Sequence, residues 1–418
     1  MENPRSAADL LLSYLSDPRP RTRNQEPVTD WNEVVSTAAY HGLAPLLFSR
    51  LKKSEVQDYV PADAWERLRQ AYFASASRSG LFYRRLVPVL RCLRDSGIPV
   101  IAMKGVYLAE QVYGNLALRP MCDADLMVPR AELPRAIAAL FDSGGAYQLS
   151  EHFDKFDWAV HHHARPLVVR ELTVEIHWTL VPPTGAVRVD TAGLWERARP
   201  VTIARVEVLA LSSEDLILHL CLSLGHQGFT GLKRLCDMAE TLHRFRGEID
   251  WARVVSLAHR WGASKYAGLT FHLARNLLGA AVPDDVLEQL VPGGLDRRKL
   301  ETAQESIVAR TDCLRSGSII DRWGAMSMGG KARLSWERVF LPRGEMAVVY
   351  PESRKAKHLW PYYALRLRDV VRTLLAHLFR RGLPTARSGM EGRNAALANW
   401  LEDRMTVGGK RRTMKEQR

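Results

Sequence analysis

The sequence lacks the features that define three large classes of protein. Its five cysteines are widely spaced and form no CxxC pair, which fits neither a disulfide framework nor a zinc site. It contains no run of 18 apolar residues, so we expect no membrane span. Its first residues show no basic segment followed by an apolar one and a small-residue cleavage site. We therefore expect a folded protein of the reducing cytoplasm.

The charge is strongly basic, but much of it lies at one end of the chain. The formal net charge is +13, and residues 380–418 carry 10 Lys/Arg against 4 Asp/Glu, so about +6 belongs to this segment. A basic helix between residues 355 and 381 could contact nucleic acid or lipid, but most charge runs are solvated helix faces. The remaining excess is modest, and a cleft that binds a triphosphate accounts for part of it. We expect nucleic acid to be an unlikely partner.

Hydrophobic periodicity divides the chain into four parts. Helical spacing dominates residues 1–97 and returns over 211–384, whereas 98–210 alternates short β-branched runs with helices. Residues 385–418 are polar and basic and are expected to be flexible, although 394–405 could form a short helix. No internal repeat is evident, and 418 residues exceed one ordinary core. The pattern predicts an α+β fold, with a mixed sheet flanked by N-terminal and C-terminal helical regions.

Three carboxylates fall on predicted strands with the spacing of a metal site. Asp123 and Asp125 are two residues apart, so they point to the same face of a strand, and Glu175 and His177 do the same on a later strand. Adjacent carboxylates repel one another unless a cation lies between them. Mg²⁺ prefers oxygen ligands and is often bound by one or two carboxylates together with substrate phosphates. We therefore predict that Asp123, Asp125 and Glu175 bind Mg²⁺ or Mn²⁺.

A turn after the first predicted strand has the composition of a phosphate site. Gly105 allows the backbone to approach a ligand closely, and the helix that follows directs its N-terminus towards an anion. Lys104 offers a point charge and Arg119 a forked donor for phosphate oxygens. The alternatives are a solvated charge for Lys104 and, for Arg119, a salt bridge that holds the strand of Asp123 and Asp125.

Other polar residues give weaker indications of a role in the site. His161 and His163 can share one face of a strand, but three consecutive histidines cannot all reach one ion. Asp237 follows Lys233 at the spacing of an ordinary helical ion pair, although a general base from the helical region is a second interpretation.

With these residues in view, the sequence resembles the nucleotidyltransferase superfamily, which includes DNA polymerase beta and the aminoglycoside nucleotidyltransferases. It is most similar to the uncharacterised nucleotidyltransferase-5 family, through IPVIAMKGVYLAEQVYGNLALRPMCDADLMV (98–128) and VEIHW (174–178). The resemblance continues upstream in AAYHGLAPLLFSRL and downstream in LCDMAETLHRF and IDWARVV. The superfamily has Gly-Ser at the phosphate turn, where this chain has Lys104-Gly105.

The resemblance implies a nucleotidyltransferase-type core and transfer of a nucleoside monophosphate from an NTP, expected to be ATP, to a hydroxyl with release of pyrophosphate. The expected acceptor is a small molecule or a peptide or protein side chain. Glu175 or His177 would take the acceptor's proton. Two alternatives stay open, namely a non-catalytic nucleotide-binding regulator or scaffold, and a phosphotransferase with the same metal site. The sequence does not indicate the oligomeric state.

Overall fold

The computed structural model describes residues 6–16, 30–147, 161–183, 185–309, 358–368 and 389–402, with five isolated positions between 339 and 356. Its centre is a mixed sheet with the strand order β3-β4-β5-β2-β1-β7-β6. β2 is parallel to β5 and β1 is parallel to β7, while the other neighbours are antiparallel. The strands are β1 (Ile101–Ala102), β2 (Asp123–Met127), β3 (Ala146–Tyr147), β4 (Leu167–Val169), β5 (Leu172–His177), β6 (Arg199–Ile203) and β7 (Val206–Ala210).

Helices surround the sheet on the N-terminal and C-terminal sides, as the sequence predicts. In chain order they are α1 (Ala7–Ser16), α2 (Trp31–Tyr40), α3 (Ala44–Leu51), α4 (Ala62–Asp95), α5 (Lys104–Tyr107), α6 (Leu133–Asp142), α7 (Thr191–Arg197), α8 (Ser213–His226), α9 (Leu232–Arg244), α10 (Trp251–Trp261), α11 (Ser264–Leu278), α12 (Asp284–Leu290), α13 (Arg297–Val308) and α14 (Gly389–Glu402). The α+β prediction is confirmed. The domain boundaries at 97, 210 and 384 stay a prediction.

Local sequence accounts for where several helices begin. Asp30 caps α2, because its side chain accepts a hydrogen bond of 3.0 Å from the backbone N–H of Glu33. Ser212 caps α8 in the same way through Asp215. Serine and glycine at residues 77–80 predict an interruption of the third N-terminal helix, but α4 continues through Gly80 and also through Pro88.

The two faces of the sheet are covered by different helices. Even-numbered residues of β2 and β5, such as Leu126 and Ile176, pack in one apolar cluster with α4 and α6. A second cluster joins α1–α3 to α8–α13 and includes Met127 from the opposite face of β2. The odd-numbered residues before Met127 therefore emerge on the face turned towards the C-terminal helices.

Some predicted elements differ from the structure. The sequence predicts a strand around 158–163. Residues 158–160 lie outside the described residues, and over 161–163 the structure has an isolated bridge between His163 and His177. The segment 166–180 forms the hairpin β4–β5 with positive φ at Arg170 and Glu171. The hairpin β6–β7 lies where the sequence predicts no strand, and α14 overlaps the short helix that the sequence suggests at 394–405. Among the described residues, no helix is long and apolar enough to cross a bilayer.

Candidate active site

The register between β2 and β5 brings the predicted acidic residues together. In this parallel pair Asp125 lies opposite Glu175, and Met127 lies opposite His177. One ligand atom from each of Asp125, Glu175 and His177 lies within 4.8 Å of the other two. Residues 50 positions apart in the chain thus form one polar cluster on the sheet.

Asp125 is the most tightly held carboxylate of the cluster. It is 4% exposed, and its Oδ1 accepts hydrogen bonds from Lys104 Nζ at 2.6 Å and from His177 Nε2 at 2.8 Å. Burial alone would raise the pKa of Asp125, but the Lys104 ammonium and the His177 hydrogen bond hold it below its usual range. Asp125 is therefore ionised, and both bonds fall on one of its two oxygens.

Asp123 is in a different electrostatic environment. It is half-buried at the start of β2, and it stands outside the group whose ligand atoms converge within 4.8 Å. Burial, together with the carboxylates of Asp125 and Glu175, raises the pKa of Asp123. Its charge is thus the least stabilised of the three, which is the situation that a bound cation would relieve.

Glu175 and His177 occupy adjacent odd positions of β5. Glu175 Oε2 lies 3.6 Å from His177 Nε2. Burial raises the pKa of Glu175, but the neighbouring imidazoles of His177 and His163 outweigh it, and the net direction is down. Because His177 Nε2 faces the ionised Asp125, this nitrogen carries the proton. His177 Nδ1 is buried and has no hydrogen-bond partner among the described residues.

Of the three consecutive histidines, His162 and His163 lie beside His177, and none of the three belongs to its metal-ligand group. The rings of His162 and His163 have centroids 5.2 Å and 5.1 Å from that of His177, and His161 lies 5.9 Å from His163. His163 Nδ1 donates to the carbonyl of Ala164 at 2.8 Å. Within the described ranges, the only converging His/Cys/Asp/Glu group is that of Asp125, Glu175 and His177.

Lys104 contacts the acidic cluster directly. Its side chain is 26% exposed and its ammonium contacts Asp125, and this contact outweighs burial so that the pKa of Lys104 is raised. Its φ of +41° lies in the left-handed region, which a non-glycine residue adopts at a cost of about 1–3 kcal/mol. The strained turn aims the side chain at the site. The predicted contact of Lys104 with phosphate is not tested by this geometry.

Arg119 is bound by a carboxylate of the helical region. Its Nη2 and Nε contact Asp237 of α9 at 2.9 Å and 3.2 Å, and the Tyr113 hydroxyl donates to the same carboxylate at 3.0 Å. A Cβ added to Gly105 would lie 2.7 Å from Arg119 Nη1. A residue without a side chain is therefore needed at 105 for the guanidinium to lie against this backbone. Asp237 forms its ion pair with Arg119, whereas helical spacing in the sequence suggests Lys233 as its partner. The ion pair joins the segment before β2 to α9.

The structure also shows polar residues near the site that the motifs do not identify. His219 of α8 is 2% exposed, neither ring nitrogen has a partner among the described residues, and burial lowers its pKa to about 3, with Lys104 and His177 as further causes. A histidine inside the apolar run LILHLCL is the signal that could have found it. Lys233 and Arg234 of α9 also interact electrostatically with the segment around Asp123.

Comparison with known proteins gives one family and one distant structure. The family described as an uncharacterised nucleotidyltransferase matches residues 27–279. No curated protein matches the chain. The solution structure of the antibiotic-resistance factor ANT(2'')-Ia is 14% identical, with a TM-score of 0.32 over 46% of this chain and 95% of that one.

Proposed function

The chain belongs to the uncharacterised nucleotidyltransferase family, and we propose that it transfers a nucleoside monophosphate from a magnesium-bound NTP to a hydroxyl of a small molecule or peptide. ATP is the nucleotide we expect. The observation that carries the proposal is the convergence of Asp125, Glu175 and His177 across the β2–β5 register, with Asp123 beside them.

The donor set fits a hard divalent cation. Asp123, Asp125 and Glu175 supply carboxylate oxygens, which Mg²⁺ prefers, and the raised pKa of Asp123 reflects burial and also two like charges that a cation would offset. When bound, the metal neutralises phosphate charge and makes the acceptor hydroxyl more acidic. His177 and Lys104 fix Asp125 Oδ1, which leaves Oδ2 as its oxygen without a protein partner in the described part of the chain.

Glu175 is the residue we assign to the acceptor's proton. His177 Nε2 already carries a proton directed at Asp125, so it cannot accept another at that position. The side chain of Glu175 is 23% exposed, and its carboxylate is ionised at neutral pH. In the transfer, the acceptor oxygen bonds to the α-phosphorus and the bond from that phosphorus to the bridging oxygen breaks. The electron pair leaves with pyrophosphate, and the acceptor's proton goes to Glu175.

Lys104 and Arg119 are assigned to positioning protein groups of the site rather than to binding phosphate. Each cation is paired with a carboxylate, Lys104 with Asp125 and Arg119 with Asp237, and both pairs are largely withdrawn from solvent. A paired cation has less attraction left for a phosphate oxygen. We therefore propose that Lys104 orients Asp125, and that Arg119 and Gly105 shape the lip of the cleft.

The test is incubation of the purified protein with Mg²⁺ and each of the four NTPs, labelled at the α- or γ-phosphate, with and without cell extract. We expect pyrophosphate release and α-label in a product, and loss of at least 100-fold in rate for Asp123→Asn and Glu175→Gln. Glu171→Gln is the matched control, because Glu171 lies on the same hairpin but is exposed and pairs with Arg85.

Other outcomes would identify the alternatives. Label from the γ-phosphate in the product would indicate a phosphotransferase. Metal-dependent NTP binding without any turnover would indicate a nucleotide-binding regulator. Unchanged α-label transfer in Asp123→Asn would contradict the assignment of the site.

A further inference from the structure

The charges around the site are unequally paired. Lys104 contacts Asp125, and Arg119 contacts Asp237. Within the described ranges, Asp123 and Glu175 have no lysine or arginine within ion-pair distance, and Lys233 and Arg234 have no carboxylate. In the described part of the chain, two carboxylates therefore have no lysine or arginine partner, Glu175 having only the imidazole of His177 at 3.6 Å, and two cations have no carboxylate partner. The carboxylates are on the sheet, and the cations are on α9.

The first turns of α9 place the two cations beside the metal site. Asp237, one turn after them, contacts Arg119, which precedes Asp123 by four residues. Lys233 Nζ donates to the carbonyl of Pro120 at 3.2 Å, three residues before Asp123. Residues 233 and 237 are i and i+4, and 234 and 237 are i and i+3, so all three share one side of the helix. That side packs on the segment leading into β2.

Arg234 is incompletely bonded for a guanidinium in a half-buried position. A guanidinium has five N–H donors, and to the residues that the structure describes Arg234 makes one hydrogen bond, of 3.3 Å from Nη1 to the carbonyl of Thr230. Burial lowers the pKa of Arg234, while the charges of Asp237, Asp123 and Asp125 counter this from further away. Burying a cation without a close anion is unfavourable. An anionic ligand at this position would remove that cost.

We infer that Lys233 and Arg234 bind the β- and γ-phosphates of the triphosphate and then hold the leaving pyrophosphate. This inference rests on the proposed function, because it assigns residues to the polyphosphate of the same NTP substrate. The arginine fork matches two oxygens of one phosphate, and the lysine supplies a point charge for a second. Asp123 and Glu175 would face the cation of the metal–nucleotide complex, and Lys233 and Arg234 would face its polyphosphate.

Calorimetry on the full chain tests this with inorganic pyrophosphate and inorganic tripolyphosphate, each with Mg²⁺. We expect Arg234→Gln and Lys233→Gln to weaken binding at least tenfold, and Arg234→Lys to give an intermediate loss because it keeps the charge without the fork. Arg298→Gln is the control, since it removes the same charge from an exposed position at the start of α13. It should change affinity less than twofold.

The two hypotheses fail in different ways. Pyrophosphate affinity in Arg234→Gln and Lys233→Gln equal to that of the unmodified protein would overturn the inference, even if α-label transfer occurs. Tripolyphosphate binding that depends on Arg234, in a protein that transfers no nucleotide, would support the inference and overturn the proposed function. Thermal unfolding of each variant verifies the fold, and if Arg234→Gln fails to fold, Arg234→Lys and Lys233→Gln decide the outcome.

Discussion

At the scale of single residues, Asp123 has a charge that the metal-free fold disfavours. Burial and two neighbouring carboxylates raise its pKa, so folding favours its protonated form. An acid whose pKa is higher in the folded state than in the unfolded state makes the fold less stable as the pH rises through that pKa, and the loss is complete above it. Metal binding requires the ionised form, so metal affinity falls as the pH falls through the same range.

Asp123→Asn is therefore expected to stabilise the metal-free protein and to weaken metal binding. At pH 7 in a chelator, we expect its unfolding temperature to rise by about 2 °C, the order that about 1 kcal/mol produces in domains of about 200 residues. The rise in unfolding temperature that Mg²⁺ gives the unmodified protein should be absent in this variant. Thermal unfolding with and without Mg²⁺ measures both effects, with Asp142→Asn, an exposed carboxylate at the end of α6, as the control. A lower unfolding temperature in the chelator would contradict the electrostatic argument.

At the scale of elements, α5 and the segment before β2 approach closely at Gly105. Arg119 Nη1 would lie 2.7 Å from an added Cβ and Met121 Cβ would lie 3.2 Å from it. The guanidinium cannot shift freely, because Asp237 and the Gly105 backbone confine it from two sides. The small residue therefore allows the ion pair that connects the strand of the acidic residues to α9.

We expect Gly105→Ala to destabilise the protein by about 1–3 kcal/mol, because the new methyl group displaces Arg119 from Asp237. Gly80→Ala is the matched substitution, since nothing lies within 4 Å of its added Cβ and the residue is exposed in the interior of α4. It should stabilise the protein by about 0.5–1 kcal/mol. Urea denaturation of both variants provides the comparison, and equal effects of the two substitutions would argue against a tight approach at Gly105.

At the scale of the whole molecule, α14 returns to pack on α11 and α13. Leu397 and Leu401 are buried in the core shared by the N-terminal and C-terminal helices. Glu402 accepts hydrogen bonds of 2.9 Å from the Tyr266 hydroxyl and from the backbone N–H of Ala186. The carbonyl of Trp400 accepts one of 2.6 Å from Lys265. A segment near the end of the chain thus contributes to the main core.

Leu401→Ala is expected to cost about 2–5 kcal/mol, because it leaves a cavity where α14 meets this core. Asn399→Ala, at an exposed position of the same helix, should change stability by less than about 0.5 kcal/mol. Since α14 is not among the elements that hold the acidic residues, the turnover rate of folded Leu401→Ala at low temperature should match that of the unmodified chain. Denaturation and initial-rate measurements on the same samples would separate the two properties.

The sequence predicts the parts of the site that depend on short spacing. The period of two along a strand places Asp123 with Asp125 and Glu175 with His177, and this requires no knowledge of the fold. The pairing of β2 with β5 cannot be derived in this way, because it joins segments 50 residues apart. The partners of Lys104 and Arg119 lie 21 and 118 residues away, so the sequence suggests a salt bridge for Arg119 but does not identify Asp125 or Asp237 as the partner of either cation.

The hairpin that the sequence misses, and the helix whose start it places too late, have physical reasons of the same kind. Val201 and Ile203 alternate with polar residues in RPVTIARVEV, a strand signal that follows the short helix α7 too closely to stand out. The short helix suggested at 394–405 begins earlier, at Gly389, and Leu397 and Leu401 place it in the core through contact with the distant α11 and α13. Tertiary packing, rather than local propensity, determines the secondary structure limits of both segments.

The parallel register of β2 and β5 has a practical consequence for any preparation of this protein. A slip of one residue would turn Val174 and Ile176 towards Asp125 and would force Glu175 and His177 into the apolar layer beneath α4 and α6. A molecule with the wrong pairing would then lack Glu175 and His177 at the site. Specific activity would therefore measure the fraction of a refolded sample that is correctly paired. It would detect pairing errors that leave the secondary structure content unchanged.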